Sequence, residues 1–387
     1  MSPFKMSENA SDWLPQRETA MLDEIAKLVK QNSFTENVEG GNVVGALLRE
    51  LFTFGGISHK TLKSDKYADH LVFTSKGDPS LAPIALVGHL DTVFPPGQFE
   101  GFAKDEGIAY GPGVLDMKGG LVVVAFALMA IQETRGLDKI CPIKIVIVSD
   151  EEIGSPEGKR VIEREVKGSR AALVFEAGRK GDAIVTRRRG TGGITAVAQG
   201  KAAHAGNAHK EGANAIWVLS RFVDLAQQLT AYDRGITVNV GKFTGGQGKN
   251  TVPDRAEALV DIRFETKKDG DALMAQLRNA ANEASARVPG TIVSLSGGIA
   301  RLPLERTENS EALFMEYGAC AKASGLGASE MPLVGGGSDA CTTGAMGIAS
   351  IDGLGPRGTG FHTKEELIEI ASLVPKAQAL ARFLERA

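Results

Sequence analysis

Cysteine is nearly absent from this chain. The three in 387 residues, Cys141, Cys320 and Cys341, stand far apart and form no CxxC pair. That spacing argues against a disulfide framework or a cysteine-held metal cluster and leaves reduced thiols among apolar or small neighbours. Long apolar runs are missing as well. No stretch reaches the roughly 18 charge-poor apolar residues of a membrane span, and the opening MSPFKMSENASDWLP holds no apolar signal core. A soluble, cytoplasmic protein with no membrane partner is therefore expected. Charge of one sign is lacking too: 44 Lys and Arg against 47 Asp and Glu leave a net −3, which offers no basic footprint for nucleic acid. The run TRRRG at 186–190 is the local exception, and a cluster this short is ordinarily a solvated surface or a partner for acidic side chains. Repeats and low-complexity segments are also absent.

What is present suits a two-domain α/β protein. At 43% hydrophobic residues, the chain exceeds the size at which a single core usually suffices. Helical periodicity marks 18–31 and 43–52, and three short apolar runs, 84–88, 143–149 and 172–175, read as strands. Strands apolar on both faces imply a parallel or mixed central sheet covered by helices, one of them the run 119–134. Past residue 190 the texture changes to strands at 235–246 and 256–264 and helices at 214–229 and 270–286. This is an inserted α+β layer. The expected organisation is a first domain at 1–188, an inserted domain at 189–300, and a return to the first domain at 301–387, ending in a helix-like run at 365–385.

Polar residues follow each apolar run: His89 and Asp91 after the first, Asp150, Glu151 and Glu152 after the second, Glu176 after the third. Ligands of open α/β folds gather at the carboxyl ends of strands, so these residues are candidates for one crevice. GPGVLDMKGG at 111–120 adds Asp116 just before a helix start, where free backbone N–H groups favour an anion. So many acids near apolar strands require compensation by protons or cations. Two zinc ions satisfy the arithmetic: Asp116 between both, His89 with Glu176 on one, Glu152 with His362 on the other, with positions left open for water and substrate. Cobalt or manganese would accept the same donors. Glu151 is then the general base, and Asp91 accepts from the second nitrogen of His89 and orients it. His59, His70 and His209 have no comparable context.

GHLDTVF, YGPGVLDMKGG, SDEEIGS, FEAGR, KAAHAG, NTVPD, GGGSDA and GTGFHT occur in the order found in the M20 family of zinc-dependent peptidases and deacylases, which the chain resembles over nearly its whole length, most of all in the glutamate carboxypeptidase branch. The resemblance implies the same metal ligands, His89, Asp116, Glu152, Glu176 and His362, with Glu151 as base. It also implies a catalytic domain at 1–188 and 301–387, an inserted α+β lid or dimerisation domain at 189–300, and a homodimer in which His204 of KAAHAG reaches the neighbouring active site and stabilises the oxyanion. Asn250 matches a position associated with the substrate carbonyl, and Arg263 one associated with the terminal carboxylate. A planar guanidinium suits the latter role, although a strand-edge salt bridge is the plain alternative. Arg301 in the less complete match ARLPL is a further carboxylate candidate. The loop GGGSDA, with Gly337 at its centre and Asp339 organising it, could cradle substrate through backbone N–H groups; it lacks the lysine of a phosphate-binding loop.

The implied substrate is a short peptide or N-acyl amino acid with a free carboxylate, from which a C-terminal amino acid is released. The alternatives are an N-acetyl or N-succinyl amino-acid deacylase, a dipeptidase, or a metal-binding interaction protein without turnover. An unliganded glutamate beside a ligand glutamate speaks against the last.

Overall fold

The computed structural model describes residues 9–387. Two compact units divide the chain, the first made of residues up to Arg187 with Arg306–Leu333 and Ser338–Ala387, the second of Arg188–Glu305 with Val334–Gly337.

The first unit is built on a six-stranded sheet in the order Ile57–Leu62, His70–Ser75, Ile143–Val148, Ile84–His89, Ala171–Val174, Ala349–Ile351. The first three strands pair antiparallel and the last four run parallel, giving a mixed α/β sheet. All six residues of Ile84–His89 are buried, as expected of a central strand with helices on both faces. The helix Lys118–Thr134 is buried along nearly its whole length and packs on Glu18–Val29 and Leu373–Leu384. On another side Gly120 permits close approach to the end of the strand Ala171–Val174: a Cβ there would stand 2.1 Å from the Phe175 carbonyl oxygen. Because Ile143–Val148, Ile84–His89 and Ala171–Val174 are parallel neighbours, the acid and histidine segments that follow them leave the sheet at one edge.

The run 365–385 is not one helix. Leu367–Glu369 is a strand paired antiparallel with Ile108–Tyr110, and the helix spans only Leu373–Leu384. Pro375 explains the late start. A helix begun at 365 would hold it in the interior, where it removes a hydrogen bond and clashes with the preceding turn; in the first turn its missing N–H costs nothing.

The second unit is a four-stranded antiparallel sheet, Thr237–Gly245, Arg255–Phe264, Gly190–Gln199, Ile292–Arg301 in spatial order, with the helices Ala215–Gln227 and Lys267–Arg287 sharing its core. Burial alternates along Arg255–Phe264, with Ala256, Ala258, Val260, Ile262 and Phe264 inward, the pattern of a sheet buried on one face. Asn214 and Thr266 cap the two helices by accepting from Trp217 N and Asp269 N. A two-stranded ribbon pairs Ala203–His204 with Thr251–Val252. In the basic run Arg187 is exposed and Arg189 lies 3.7 Å from Glu265, as expected of such a cluster, whereas Arg188 is buried and donates to the Gly336 carbonyl.

Candidate metal centre

The expected ligands of the first unit converge. His89, Asp116 and Glu152 form one group whose ligand atoms lie within 4.8 Å of one another, and His89, Glu151 and Glu176 form a second. Asp116 stands between the histidines: its Oδ1 is 3.3 Å from His89 Nε2 and its Oδ2 3.4 Å from His362 Nε2. His362 Nε2 is also 3.0 Å from Glu152 Oε2, and His89 Nε2 is 3.7 Å from Glu176 Oε1.

Two features of this cluster call for a cation. The Nδ1 of His89 lies 3.0 Å from the Asp91 carbonyl oxygen, which can only accept, so Nδ1 carries a proton. In the neutral ring Nε2 is then an acceptor, and it faces the carboxylates of Asp116 and Glu176, acceptors themselves. The Glu176 Oε1 atom is moreover buried without a hydrogen-bond partner. An added proton or a metal ion resolves the conflict, and the imidazole and carboxylate donors suit a divalent ion.

The titration shifts express the same conflict. Burial pushes Glu176 up to about 8, helped by the charge of Asp116 and opposed by His89. Burial also raises Glu152, against its hydrogen bond to His362. Burial disfavours charge on His89, but Glu176, Asp116 and Asp91 outweigh it and hold the ring well above its ordinary value. Hydrogen bonds to Asp116 and Glu152 push His362 up to about 10. Asp116 stays below the usual carboxylate range: burial works against this, and its bonds to His362 and His89 prevail.

Asp91 is placed differently from expectation. The nearest acceptor to His89 Nδ1 is its backbone carbonyl, while its carboxylate oxygen is at 3.4 Å. That carboxylate accepts from Thr35 Oγ1 at 2.8 Å and from the backbone N–H groups of Glu151 and Glu152 at 3.2 Å each. Asp91 therefore holds the turn that carries Glu151 and Glu152. Asp150 is buried and takes the N–H groups of Glu157 and Gly158 at the start of the helix Gly158–Glu165, away from the ligand groups. Asp339 accepts from Ser155 Oγ at 2.6 Å, at the far end of the same turn.

In the second unit the ribbon brings His204 beside Asn250, whose carbonyl accepts from Ala205 N at 2.9 Å. The His204 ring is exposed, and its Nδ1 accepts from Gly206 N and Asn207 N. Arg263 is half-buried and bonded to Asp261. Arg301 is buried, and Gly337 makes room for it: a Cβ at Gly337 would meet Arg301 Cδ at 2.8 Å. Gly337 therefore acts here through its missing side chain.

Two residues escaped sequence reasoning. Thr35 lies in a polar loop with no distinguishing pattern. Glu366, four residues after His362, is buried and accepts from the N–H groups of Gly113, Leu115 and Asp116. The N–H groups expected to favour Asp116 are not capped by it: the helix has no side-chain cap, and the amides of the loop before it donate to Glu366 instead. A second acid beside Glu365, ahead of a proline-delayed helix, was its only signal. His70 is buried with Nδ1 against Ser149 N. The described residues include no helix long and apolar enough to cross a membrane.

Residues 186–289 match the family model of the peptidase dimerisation domain of M20 proteins. The chain is 29% identical to carboxypeptidase G2 of Pseudomonas sp. (strain RS-16), covering 94% of this chain and 88% of that one. It is 27% identical to succinyl-diaminopimelate desuccinylase of Acidiphilium cryptum, over 93% and 96% of the two chains. Among solved structures, a tripeptidase from Staphylococcus aureus superposes with a TM-score of 0.81 at 25% identity, covering 95% of this chain and 98% of that one. The chain has the fold of the M20-family metallopeptidases and deacylases, with a candidate dinuclear metal site at the strand ends of its first unit.

Proposed function

We propose that this chain is a homodimeric, dinuclear metal-dependent amide hydrolase that releases a C-terminal amino acid, in the manner of a glutamate carboxypeptidase, from short peptides or N-acyl amino acids. The observation that carries the reading is Asp116 between two histidines, one oxygen toward each, with a further carboxylate beside each ring. In this reading Asp116, His89 and Glu176 would hold one ion, and Asp116, Glu152 and His362 the other. Zinc suits the set, and cobalt or manganese would accept the same donors. Two such ions, when bound, lower the pKa of a water molecule and polarise the substrate carbonyl.

The chain's own residues supply the remainder. As water adds to the amide carbon, Glu151 takes its proton on a carboxylate oxygen and returns it to the nitrogen as the C–N bond breaks. The products are an acid and a free amine. Asp91 keeps Glu151 in place through the backbone. The neutral His204 ring, accepting at Nδ1, has Nε2–H to donate to the developing oxyanion, with Asn250 next to it. Arg263 and Arg301 take the substrate carboxylate, for which a guanidinium offers paired N–H groups. Likeness to the carboxypeptidase supports this substrate class, and likeness to the desuccinylase favours a second reading, an N-acyl amino-acid deacylase.

A panel of N-acyl amino acids and dipeptides varied at the C-terminus, assayed for released amine with zinc-loaded and metal-stripped protein, tests the proposal. Metal-dependent release is expected, fastest with a terminal glutamate. A preference set by the acyl group would support the deacylase. No release from protein carrying two ions would leave a binding protein and overturn the hydrolase.

A further inference from the structure

Glu366 has neither a substrate nor an ion to hold in the scheme above, yet it is only 1% exposed. Its Oε2 accepts from Gly113 N at 3.0 Å, and its Oε1 from Leu115 N and Asp116 N at 2.9 Å each. The donors all belong to the loop that ends on Asp116. Around this contact the backbone is joined again: Gly111 N donates to the Glu366 carbonyl at 3.3 Å, and Leu367 pairs with Tyr110. His362 lies in the turn just before, so the segment bearing one candidate ligand is fastened to the segment bearing another.

The chemistry of the side chain is specific. Three N–H donors converge on the two oxygens of one side chain, an arrangement that suits a carboxylate. A glutamine would meet two donors with its oxygen and turn its own NH₂ toward the third. An apolar residue would leave buried N–H groups unsatisfied.

We infer that Glu366 is a positioning residue for the metal centre: by fixing the backbone of 113–116 it aims the two Asp116 oxygens at His89 and His362 and preforms the two-ion site before any ion arrives. The inference rests on the metal reading of the cluster. It assigns to Glu366 an effect on ion affinity, transmitted through the ligand loop, with no contact to the reacting atoms.

Calorimetric titration of the metal-free protein with Zn²⁺, together with the visible spectrum of the Co²⁺ form, tests it. For Glu366→Gln at least one ion should bind roughly 10–100-fold more weakly, the usual consequence of losing a group that orients a ligand, and the Co²⁺ bands should change. Leu380→Ala, a core truncation in the helix Leu373–Leu384, controls for lost stability and should bind both ions as the unaltered protein does. A folded Glu366→Gln protein with unaltered affinity and spectrum overturns the inference, as does an equal loss in Leu380→Ala. Should Glu366→Gln not fold, hydrogen exchange of the unaltered metal-free protein decides: slow amides at Leu115 and Asp116 are expected, and fast ones reject preformation. Failure of the unaltered protein to bind any divalent ion sinks the metal reading and this inference together. Binding of two ions without hydrolysis sinks only the proposed activity.

Discussion

Asp261 accepts from both Nε and Nη2 of Arg263, each at 2.9 Å. The residues are two apart on the strand Arg255–Phe264 and so share one face. Both are partly exposed, which makes the pair worth little to stability, ~0–1 kcal/mol. Its consequence is orientation: Asp261 occupies the side edge of the guanidinium, and the Nη1–Nη2 edge is the one suited to a substrate carboxylate. Arg263→Lys retains the charge and loses the planar fork. The KM for substrates with a free C-terminal carboxylate should rise by roughly tenfold or more, the scale of a hydrogen bond to a charged group. C-terminally amidated analogues should show no such change. Steady-state kinetics on both series check this, and an equal loss on both would remove Arg263 from carboxylate recognition.

Glu151 sits in a short turn anchored by Asp91 through its backbone N–H. Glu151→Gln preserves size and shape but cannot take a proton. Since positioned acid–base groups contribute about 10²–10⁴ in rate, kcat should fall by that order. Bound metal, counted by elemental analysis, should stay at two ions per chain. Near-normal turnover in the metal-loaded variant would end the role of Glu151 as base.

The clustered strand-end residues could be read from the sequence because the chemistry and the topology coincide. His89, Glu152 and Glu176 each follow an apolar run, and the three runs turn out to be parallel neighbours. Runs of this kind announce themselves by composition. The short strands Ala103–Asp105, Ile108–Tyr110 and Leu367–Glu369 do not, since three residues establish no period. Glu366 was hidden for that reason: its meaning depends on a pairing made about 250 residues away in sequence. Asp91 was legible as a partner of the His89 ring but not in detail. Whether its carboxylate or its carbonyl meets the imidazole depends on backbone geometry that residue types do not reveal.

His204 offers a test that needs no knowledge of the substrate's side chain. Its Nδ1 accepts from Gly206 N and Asn207 N at 3.2 and 3.1 Å, so the neutral ring carries its proton on Nε2. In the proposed dimer this proton is donated in the partner's active site. Glu151→Gln and His204→Ala proteins should each be nearly inactive alone. Mixed and allowed to exchange subunits, they should regain up to about a quarter of normal activity, because half the dimers become mixed and each of those has one intact site. Subunit exchange verified by mass, with no recovery, would place His204 in its own subunit's site or outside catalysis.

Lys376 provides a pH test remote from the metal centre. The residue is 3% exposed, with Nζ 3.4 Å from Asp182 Oδ1. Burial pushes its pKa down from 10.5 to about 8, against the pull of Asp182. Below pH 8 the lysine is charged in both folded and unfolded chains, and the folded one bears the burial penalty. Between pH 8 and 10.5 the unfolded chain binds more protons, so this group adds stability as pH rises, ~3 kcal/mol in all. Lys376→Met removes the charge and leaves Asp182 paired with Arg357 at 2.8 Å. The variant lacks this titration, so relative to the unaltered protein it should lose about 3 kcal/mol of stability as pH climbs from 8 to 10.5. The chain holds two tryptophans, Trp13 in the first unit and Trp217 in the second. In a Trp217→Phe background, denaturant unfolding followed by Trp13 fluorescence therefore reports on the unit that contains Lys376. A difference between the two proteins that stays constant from pH 7 to 10.5 would show that Lys376 keeps its proton in the folded state throughout.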